Sequence, residues 1–241
     1  MTRPQRIDRL PEQYFGALLA NVSRHAAAGE PLIDLGRGNP ETGPPPHVVA
    51  VLATAARRDD VHGYAPFRGL PELRAALAER YRSVYGVSLD PDSEVAIVPG
   101  TKTAIVELCF AVAEEGQTVV LPDPYYPDYP SGPALAGAEI AYVPLDPGNG
   151  WPPDFSQAPA ENVAAVYLNF PSNPAAVAVP DGAFDDAVAY AQTTGAAVVH
   201  DFAYGDLVFD RCKPRSFLAT PGAQGLTGRT LRVCGGAFIG A

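Results

Sequence analysis

The chain has 241 residues, of which 47% are hydrophobic and 18% charged, so it is long and apolar enough to bury a core. Its net charge of −10 argues against nucleic acid or an anionic membrane surface as the main partner, because both require a basic face. The sequence has no apolar signal core and no apolar run that could cross a bilayer, and its three cysteines lack disulfide or zinc spacing, so we expect a cytoplasmic protein.

The N-terminal part of the chain is predicted to contain three helices and one short strand. Residues 1–29 form an arm with a helix over 13–28, and LIDLGRGNP at 32–40 indicates a strand that breaks at its glycines. Further helices are predicted over 46–58, where a proline stands in the first turn, and over 70–86, which a glycine ends.

From residue 94 onwards, apolar strands alternate with helical segments. This pattern predicts an α/β fold with a mostly parallel sheet sandwiched by helices, in one large domain over 30–241. The predicted strands are 94–100, 118–124, 139–145, 162–171 and 196–204, and the predicted helices are 101–116, 128–138 and 182–195.

Polar residues follow several of these strands, and in open parallel sheets ligands bind at the carboxyl ends of the strands. We call these ends and the loops after them the rim. Thr101 and Lys102 open a predicted helix, whose free N–H groups and dipole favour an anion, although a threonine cap on an ordinary turn would look the same. Tyr126 could stack on a planar ring or belong to the core.

Asp201 ends a strand that is predicted to be buried on both faces, so its carboxylate needs a partner or must be neutral. A protonated heterocyclic nitrogen would be such a partner, and Tyr204, three residues further on, could reach the same ring. Asn173 stands in a proline-flanked loop, which is either a plain turn or a holder for a ring oxygen. His200 is expected on the opposite face of the strand, in a structural role.

Other functional motifs are missing from the sequence. The four histidines are scattered without metal-ligand spacing, so no metal site is expected. GRGNPE at 36–41 lacks the third glycine of a dinucleotide fingerprint, and no G-x-S-x-G elbow occurs.

The rim residues, in this order, resemble the class I/II aminotransferases, pyridoxal 5′-phosphate enzymes of fold type I, and especially the branch with LL-diaminopimelate aminotransferase. The similarity runs from about Tyr14 to Ala223. The stretches that carry it are LIDLGRGNP, HGYAPFRGLPELRAALAERY, PGTKTA, VVLPDPYYPDY, LNFPSNP, VVHDFAYGDLVFD and PRSFLATPGA.

The resemblance implies a role for each matching residue. Asp201 would pair with the protonated pyridine nitrogen of pyridoxal 5′-phosphate, which keeps the ring an electron sink. Tyr204 and Asn173 would hold the ring 3′-oxygen. The remaining roles are stacking on the ring by Tyr126, phosphate binding by Thr101 and Lys102, phosphate binding across a homodimer interface by Tyr64, and substrate binding by Gly38 and Tyr14.

The sequence also departs from the family pattern. After SFLATPGA the family continues to S-x-S-K, whose lysine forms the Schiff base, and then to a small C-terminal domain, whereas the sequence here reads QGLTGRTLRVCGGAFIGA. The two lysines present are Lys102, at the phosphate end, and Lys213, in a charged loop. The family's NPTG motif reads Asn173-Pro174-Ala175-Ala176.

These departures predict a large domain cut before its active site is complete, with no catalytic lysine and little turnover between amino acids and 2-oxo acids. Two alternatives remain open at the level of sequence. One is a non-catalytic fragment that binds pyridoxal phosphate or serves in oligomerisation, and the other is the remnant of a C–S lyase of the same fold.

Overall fold

The computed structural model describes residues 4–33, 35, 38, 42–209, 213–223 and 230–233. The described residues form two compact units: one contains 4–11 and everything from Arg68 onwards, and the other contains Glu12–Phe67. This division concerns packing, and the boundary between an arm and a large domain at residues 29 and 30 stays a prediction.

Five parallel strands build the sheet of the larger unit, in the order β2-β1-β3-β4-β5. The two central strands β3 and β4 are buried along their whole length, which is why their sequences are continuously apolar rather than alternating. The strands are β1 (Thr118–Asp123), β2 (Glu139–Pro144), β3 (Val163–Asn169), β4 (Ala197–Asp201) and β5 (Thr230–Val233).

Helices cover both faces of this sheet, as predicted. Alternate strand residues point to opposite faces, so Val166 and Val198 pack with α7 while Tyr167 and Val199 pack with α5. The α-helices are α1 (Gln5–Asp8), α2 (Tyr14–Ala27), α3 (Pro46–Ala55), α4 (Pro71–Arg80), α5 (Thr101–Val112), α6 (Ser131–Ala136) and α7 (Ala183–Thr194).

Most predicted elements of the larger unit are confirmed, and two differences have a physical reason. The strand predicted over 94–100 is wrong, because residues 95–98 pair with no described strand; the Ile97 N–H instead bonds to the Arg68 carbonyl at 3.1 Å. Strand β5 was not predicted, since its four residues are too short a run to stand out. It forms because the edge of β4 away from β3 has backbone N–H and C=O groups that can pair with another strand.

Two further predictions concern the smaller unit and the membrane. Leu32, Ile33 and Leu35 of the strand predicted at 32–40 lie in no strand, and residues 34, 36, 37, 39 and 40 lie outside the described residues. Among the helices that the structure describes, none has the length and hydropathy needed to cross a bilayer.

Candidate functional site

Asp201 ends β4 in a buried position, with 5% of its surface exposed. Its Oδ2 accepts a hydrogen bond from the Tyr129 hydroxyl at 2.8 Å, and its Oδ1 accepts one from the Ala203 N–H at 3.1 Å. Burial raises the pKa of the Asp201 carboxyl, while these two donors act in the opposite direction. Within the described residues both partners of the carboxylate are neutral, so the site would accommodate one positively charged group beside Asp201.

Tyr129 keeps its hydroxyl proton for this bond, because burial and the nearby Asp201 raise the pKa of Tyr129 well above its ordinary value. The Tyr129 side chain is fully buried, against the ring of Tyr167 at 5.3 Å. Tyr129 and Asp201 together form what we call the buried end of the site. Its low polarity strengthens the attraction between Asp201 and any cation that replaces water there.

Asn173 and Tyr204 form the open end of the site. The Asn173 Nδ2 donates to the Tyr204 hydroxyl oxygen at 3.2 Å, and Tyr204 is 37% exposed. This leaves the Tyr204 hydroxyl proton available for a further acceptor. The two side chains also line a groove of about 530 Å³.

Asn169 connects the two ends. It lies opposite Asp201 in the register of β3 and β4, and its Nδ2 donates to the Asn173 carbonyl at 3.2 Å. Among the described residues, the buried Oδ1 of Asn169 has no hydrogen-bond partner. Such an acceptor is one that a polar ligand would satisfy.

The turn after Asn173 explains why the glycine of NPTG matters. Ala176 occupies that position with φ of 56°, a left-handed conformation that costs a non-glycine residue about 1 kcal/mol. The turn is held by two backbone bonds, from the Ala176 N–H to the Ser172 carbonyl and from the Ser172 N–H to the Val177 carbonyl. This chain therefore keeps the turn despite a side chain that opposes it.

Tyr126 and Lys102 lie beside the buried end. The Tyr126 ring packs edge-to-face on Tyr129 with 5.7 Å between centroids, and the Lys102 ammonium lies 5.4 Å from the Tyr126 centroid. Lys102 also forms an ion pair of 2.7 Å with the buried Asp128, and hydrogen bonding to Asp128 raises the pKa of Lys102. A phosphate near Lys102 would share its ammonium with Asp128.

Thr101 is the first residue of α5, as the sequence indicated. Gly100 before it has φ of 99°, which only glycine adopts readily, so the chain can turn sharply into the helix. Because α5 precedes β1 and packs on the sheet, its N-terminal N–H groups and positive dipole end lie toward the rim.

The structure thus brings six of the predicted residues to one rim: Asp201, Tyr204, Asn173, Tyr126, Thr101 and Lys102. Tyr64, Gly38 and Tyr14 belong to the unit Glu12–Phe67, and their roles stay predictions. Lys213, the other lysine of the sequence, is exposed.

Tyr129 and Asn169 were missed as site residues. The signal for Tyr129 was its place three residues after Tyr126 in YYPDY, one turn away on the same loop. For Asn169 the signal was its place at the end of an apolar strand next to the one that ends in Asp201. Neither position indicates which residue the side chain would bond to, because that depends on the order of the strands in the sheet.

A buried acid, an adjacent tyrosine–asparagine pair and a helix N-terminus lie together at one rim of a parallel α/β sheet, where ligands of this fold class bind. Comparisons with known proteins identify the family of the chain. The family model described as "Aminotransferase class I and II" matches residues 30–231. The chain belongs to the class I and II aminotransferase family.

Among similar proteins, L-glutamine–4-(methylsulfanyl)-2-oxobutanoate aminotransferase of Bacillus subtilis is 42% identical over 221 residues, 90% of this chain and 56% of the relative. LL-diaminopimelate aminotransferase of Dehalococcoides mccartyi is 35% identical over 93% of this chain and 58% of the relative. The apo-BacF structure from Bacillus subtilis has a TM-score of 0.88 at 33% identity and covers 98% of this chain and 60% of BacF. The chain therefore spans little more than half the length of these relatives.

Proposed function

We propose that this chain supplies the coenzyme-binding part of an aminotransferase that moves an amino group between an amino acid and a 2-oxo acid. The observation that carries the proposal is the buried Asp201 carboxylate, held by Tyr129 and Ala203 and lacking a cationic partner among the described residues. The family membership, and relatives named as aminotransferases, support the reaction class.

Pyridoxal 5′-phosphate, when bound, would supply a pyridine ring that accepts electron density while its nitrogen is protonated. Asp201 would hold the proton on that nitrogen. Asn173 and Tyr204 would orient the 3′-oxygen from the open end, and Tyr126 would cover the ring. Thr101 and the first N–H groups of α5 would bind the phosphate, with Lys102 contributing charge.

Binding of the coenzyme to the 241-residue chain tests the first part of the proposal. Titration with pyridoxal 5′-phosphate, followed by absorbance and tyrosine fluorescence, should give saturable binding. The variant Asp201→Asn should bind at least about 10-fold more weakly, because the pairing of opposite charges at a buried site is lost. Glu161→Gln, which removes one exposed carboxylate just before the N-terminal end of β3, at the end of the strand away from the rim, is the matched control. Equal affinity for all three proteins would contradict the proposal.

A second measurement addresses the lysine. Borohydride reduction of the loaded chain, followed by peptide mass mapping, should leave Lys102 unmodified, because its ammonium is paired with Asp128 and its raised pKa keeps it protonated. The exposed Lys213 should be labelled only to the substoichiometric extent of any exposed amine. Coenzyme trapped on either lysine at one equivalent per chain would overturn this expectation. It would then favour turnover by the chain as it stands.

Transfer activity can be tested with a chimaera. Residues 1–231 would be followed by the part of the Bacillus subtilis relative that this chain does not cover. We expect transfer from an amino acid to a 2-oxo acid by the chimaera and little by the 241 residues alone. A chimaera that folds and binds coenzyme but transfers nothing would instead favour the non-catalytic binding module.

A homodimer is proposed as the assembly. Tyr64, Phe67, Val51 and Leu52 are exposed in the smaller unit, which suits burial against a second copy. Light scattering of the full chain should give twice the monomer mass. Monomers at all concentrations would exclude this assembly for the 241-residue chain. We further propose a cytoplasmic location, on the basis of the cysteine content and of the reaction class.

A further inference from the structure

His200 lies next to Asp201 on the opposite face of β4 and is 1% exposed. Both of its ring nitrogens meet backbone groups of other segments. Nε2 lies 3.0 Å from the Phe170 carbonyl oxygen, and Nδ1 accepts a hydrogen bond from the Phe217 N–H at 3.4 Å. Because a carbonyl can only accept and an N–H can only donate, the two partners together require the neutral tautomer with its proton on Nε2.

Aromatic rings fill the space around His200. Phe184 and Phe202 lie 5.0 and 4.9 Å from it between ring centroids, and Phe217 lies at 6.5 Å. A phenylalanine at position 200 would satisfy this packing. The two hydrogen bonds are therefore what histidine adds at this place.

The Phe170 carbonyl is the first anchor of the loop that carries Asn173. From there the loop turns back on itself, with a bond from the Ser172 N–H to the Val177 carbonyl at 2.8 Å. On its other side Asn169 binds the Asn173 carbonyl at 3.2 Å. A loop this short transmits a shift of Phe170 to Asn173, and from there to the bond with Tyr204.

We propose that His200 is a positioning residue, which holds the loop Phe170–Asn173 through the Phe170 carbonyl and so presents the Asn173 amide to the open end of the site. The inference deepens the proposed function and rests on it for the identity of the ligand. The hydrogen bond from His200 to the loop exists in the chain without ligand. The positioning role and the proposed function can therefore fail separately.

Glutamine and asparagine at position 200 form a matched pair for the test. A glutamine amide reaches about as far as Nε2 and can donate to the Phe170 carbonyl. An asparagine amide reaches only as far as Nδ1 and cannot. Both are uncharged and polar, so they share any cost of placing an amide in this core.

Hydrogen–deuterium exchange of the ligand-free 241-residue chain gives the first readout. His200→Asn should speed exchange in peptides covering 170–177, while His200→Gln should keep the rate near that of the parent protein. Peptides from β1 and α7 should be unchanged in both. If the two variants exchange alike over 170–177, or if exchange rises evenly along the chain, the proposal is wrong.

Coenzyme affinity gives the second readout. We expect His200→Asn to weaken binding of pyridoxal 5′-phosphate by roughly 3- to 10-fold, the equivalent of one hydrogen bond, and His200→Gln by less than about 2-fold. In an Asn173→Ala background, His200→Asn should cost almost nothing further, because its path to the ligand is gone. The same cost in both backgrounds would overturn the proposal.

The outcomes separate the two hypotheses. A parent chain that does not bind pyridoxal 5′-phosphate at all would defeat the proposed function, while the exchange difference between the asparagine and glutamine variants would still decide the role of His200. Normal coenzyme binding with no exchange difference would keep the proposed function and defeat the positioning role.

Discussion

The buried end and the open end of the site stand next to each other on one rim, yet they are built differently. At the buried end, Tyr129 and Asp201 are 0% and 5% exposed, and their hydrogen bond of 2.8 Å is shielded from bulk solvent. At the open end, Tyr204 is 37% exposed and its bond to Asn173 is the longer one, at 3.2 Å. The same pair of functional groups, a tyrosine hydroxyl and a polar partner, occurs at both ends.

The difference indicates that the two ends contribute differently to stability and to ligand affinity. A hydrogen bond to a buried charge is strong, and losing it leaves an unsatisfied group, whereas a partly exposed bond can be replaced by water. The buried end should therefore influence both stability and ligand affinity. The open end should influence affinity with little effect on stability.

The largest expected effect comes from His200, which lies next to Asp201 in β4 and bonds to the Phe170 carbonyl before the open end. Burial lowers the pKa of His200 to about 4, so the unfolded chain binds more protons than the folded chain between about pH 6.5 and pH 4. Its contribution to the free energy of unfolding should fall as pH decreases, by about 2 kcal/mol at pH 5 and about 3 kcal/mol at pH 4. Urea unfolding at pH 7.5 and 5.0 measures it.

The control for this titration is His200→Gln, which has no proton to gain. The difference in unfolding free energy between the parent protein and this variant should shrink or change sign from pH 7.5 to pH 5.0. A constant difference would mean that His200 already titrates near its ordinary pKa.

The next effect tests the charge at the buried end. Because burial raises the pKa of Asp201, the folded state disfavours the carboxylate at neutral pH, and this disadvantage grows as pH rises through the folded-state pKa. Asp201→Asn should therefore raise the urea midpoint of the ligand-free chain at pH 7.5 while it weakens coenzyme binding. A lower urea midpoint than that of the Glu161→Gln control would count against this account.

Removing the Tyr129 hydroxyl tests the hydrogen bond at the buried end. Tyr129→Phe leaves Oδ2 of Asp201 without its donor, raises the pKa of that carboxyl further, and should lower the unfolding free energy by about 1 to 3 kcal/mol at pH 7.5. In the background of Asp201→Asn the loss should be smaller, since no carboxylate remains to be satisfied. Equal losses in both backgrounds would show that the Tyr129 hydroxyl acts independently of Asp201.

Ala176→Gly should stabilise the turn at the open end. Glycine relieves the left-handed strain of this position but also gains freedom in the unfolded chain, so the net increase should be at most about 0.5 kcal/mol. The urea midpoint measures this. Ala175→Gly, one residue earlier and outside the left-handed region, should bring no gain and serves as the matched control.

Tyr204→Phe should have the smallest effect on stability, within about 0.5 kcal/mol, because water can replace the exposed partner of Asn173. Coenzyme affinity should nevertheless fall by roughly 2- to 5-fold, through the lost bond to the ligand oxygen. If Tyr204→Phe destabilises the chain as much as Tyr129→Phe, the contrast between the two ends is wrong.

Parts of the fold follow directly from local sequence. The runs at 118–124 and 162–171 are largely apolar and bounded by turn residues, which is typical of buried parallel strands, and β1 and β3 form there. The run at 139–145 also predicts a strand, although β2 at the edge of the sheet is only partly buried. Local sequence also predicts helix α7, where glycines stand on both sides of an amphipathic segment. The strand predicted at 94–100 failed because a strand needs a neighbour, which the apolar pattern alone does not provide.

Residue types at strand ends determined the candidates Asp201 and Asn173, because an ionisable or amide group after a buried strand needs a reason to be there. Lys102 became a candidate from its place in the first turn of a helix. The tertiary structure decided their partners. It brought the Tyr129 hydroxyl to Asp201 and the Lys102 ammonium to Asp128. It also brought Asn173 within hydrogen-bond distance of Tyr204, which lies thirty-one positions further along the sequence. Chain composition carries the chemistry of each group, but only the order and register of the strands bring groups from distant segments within hydrogen-bond distance.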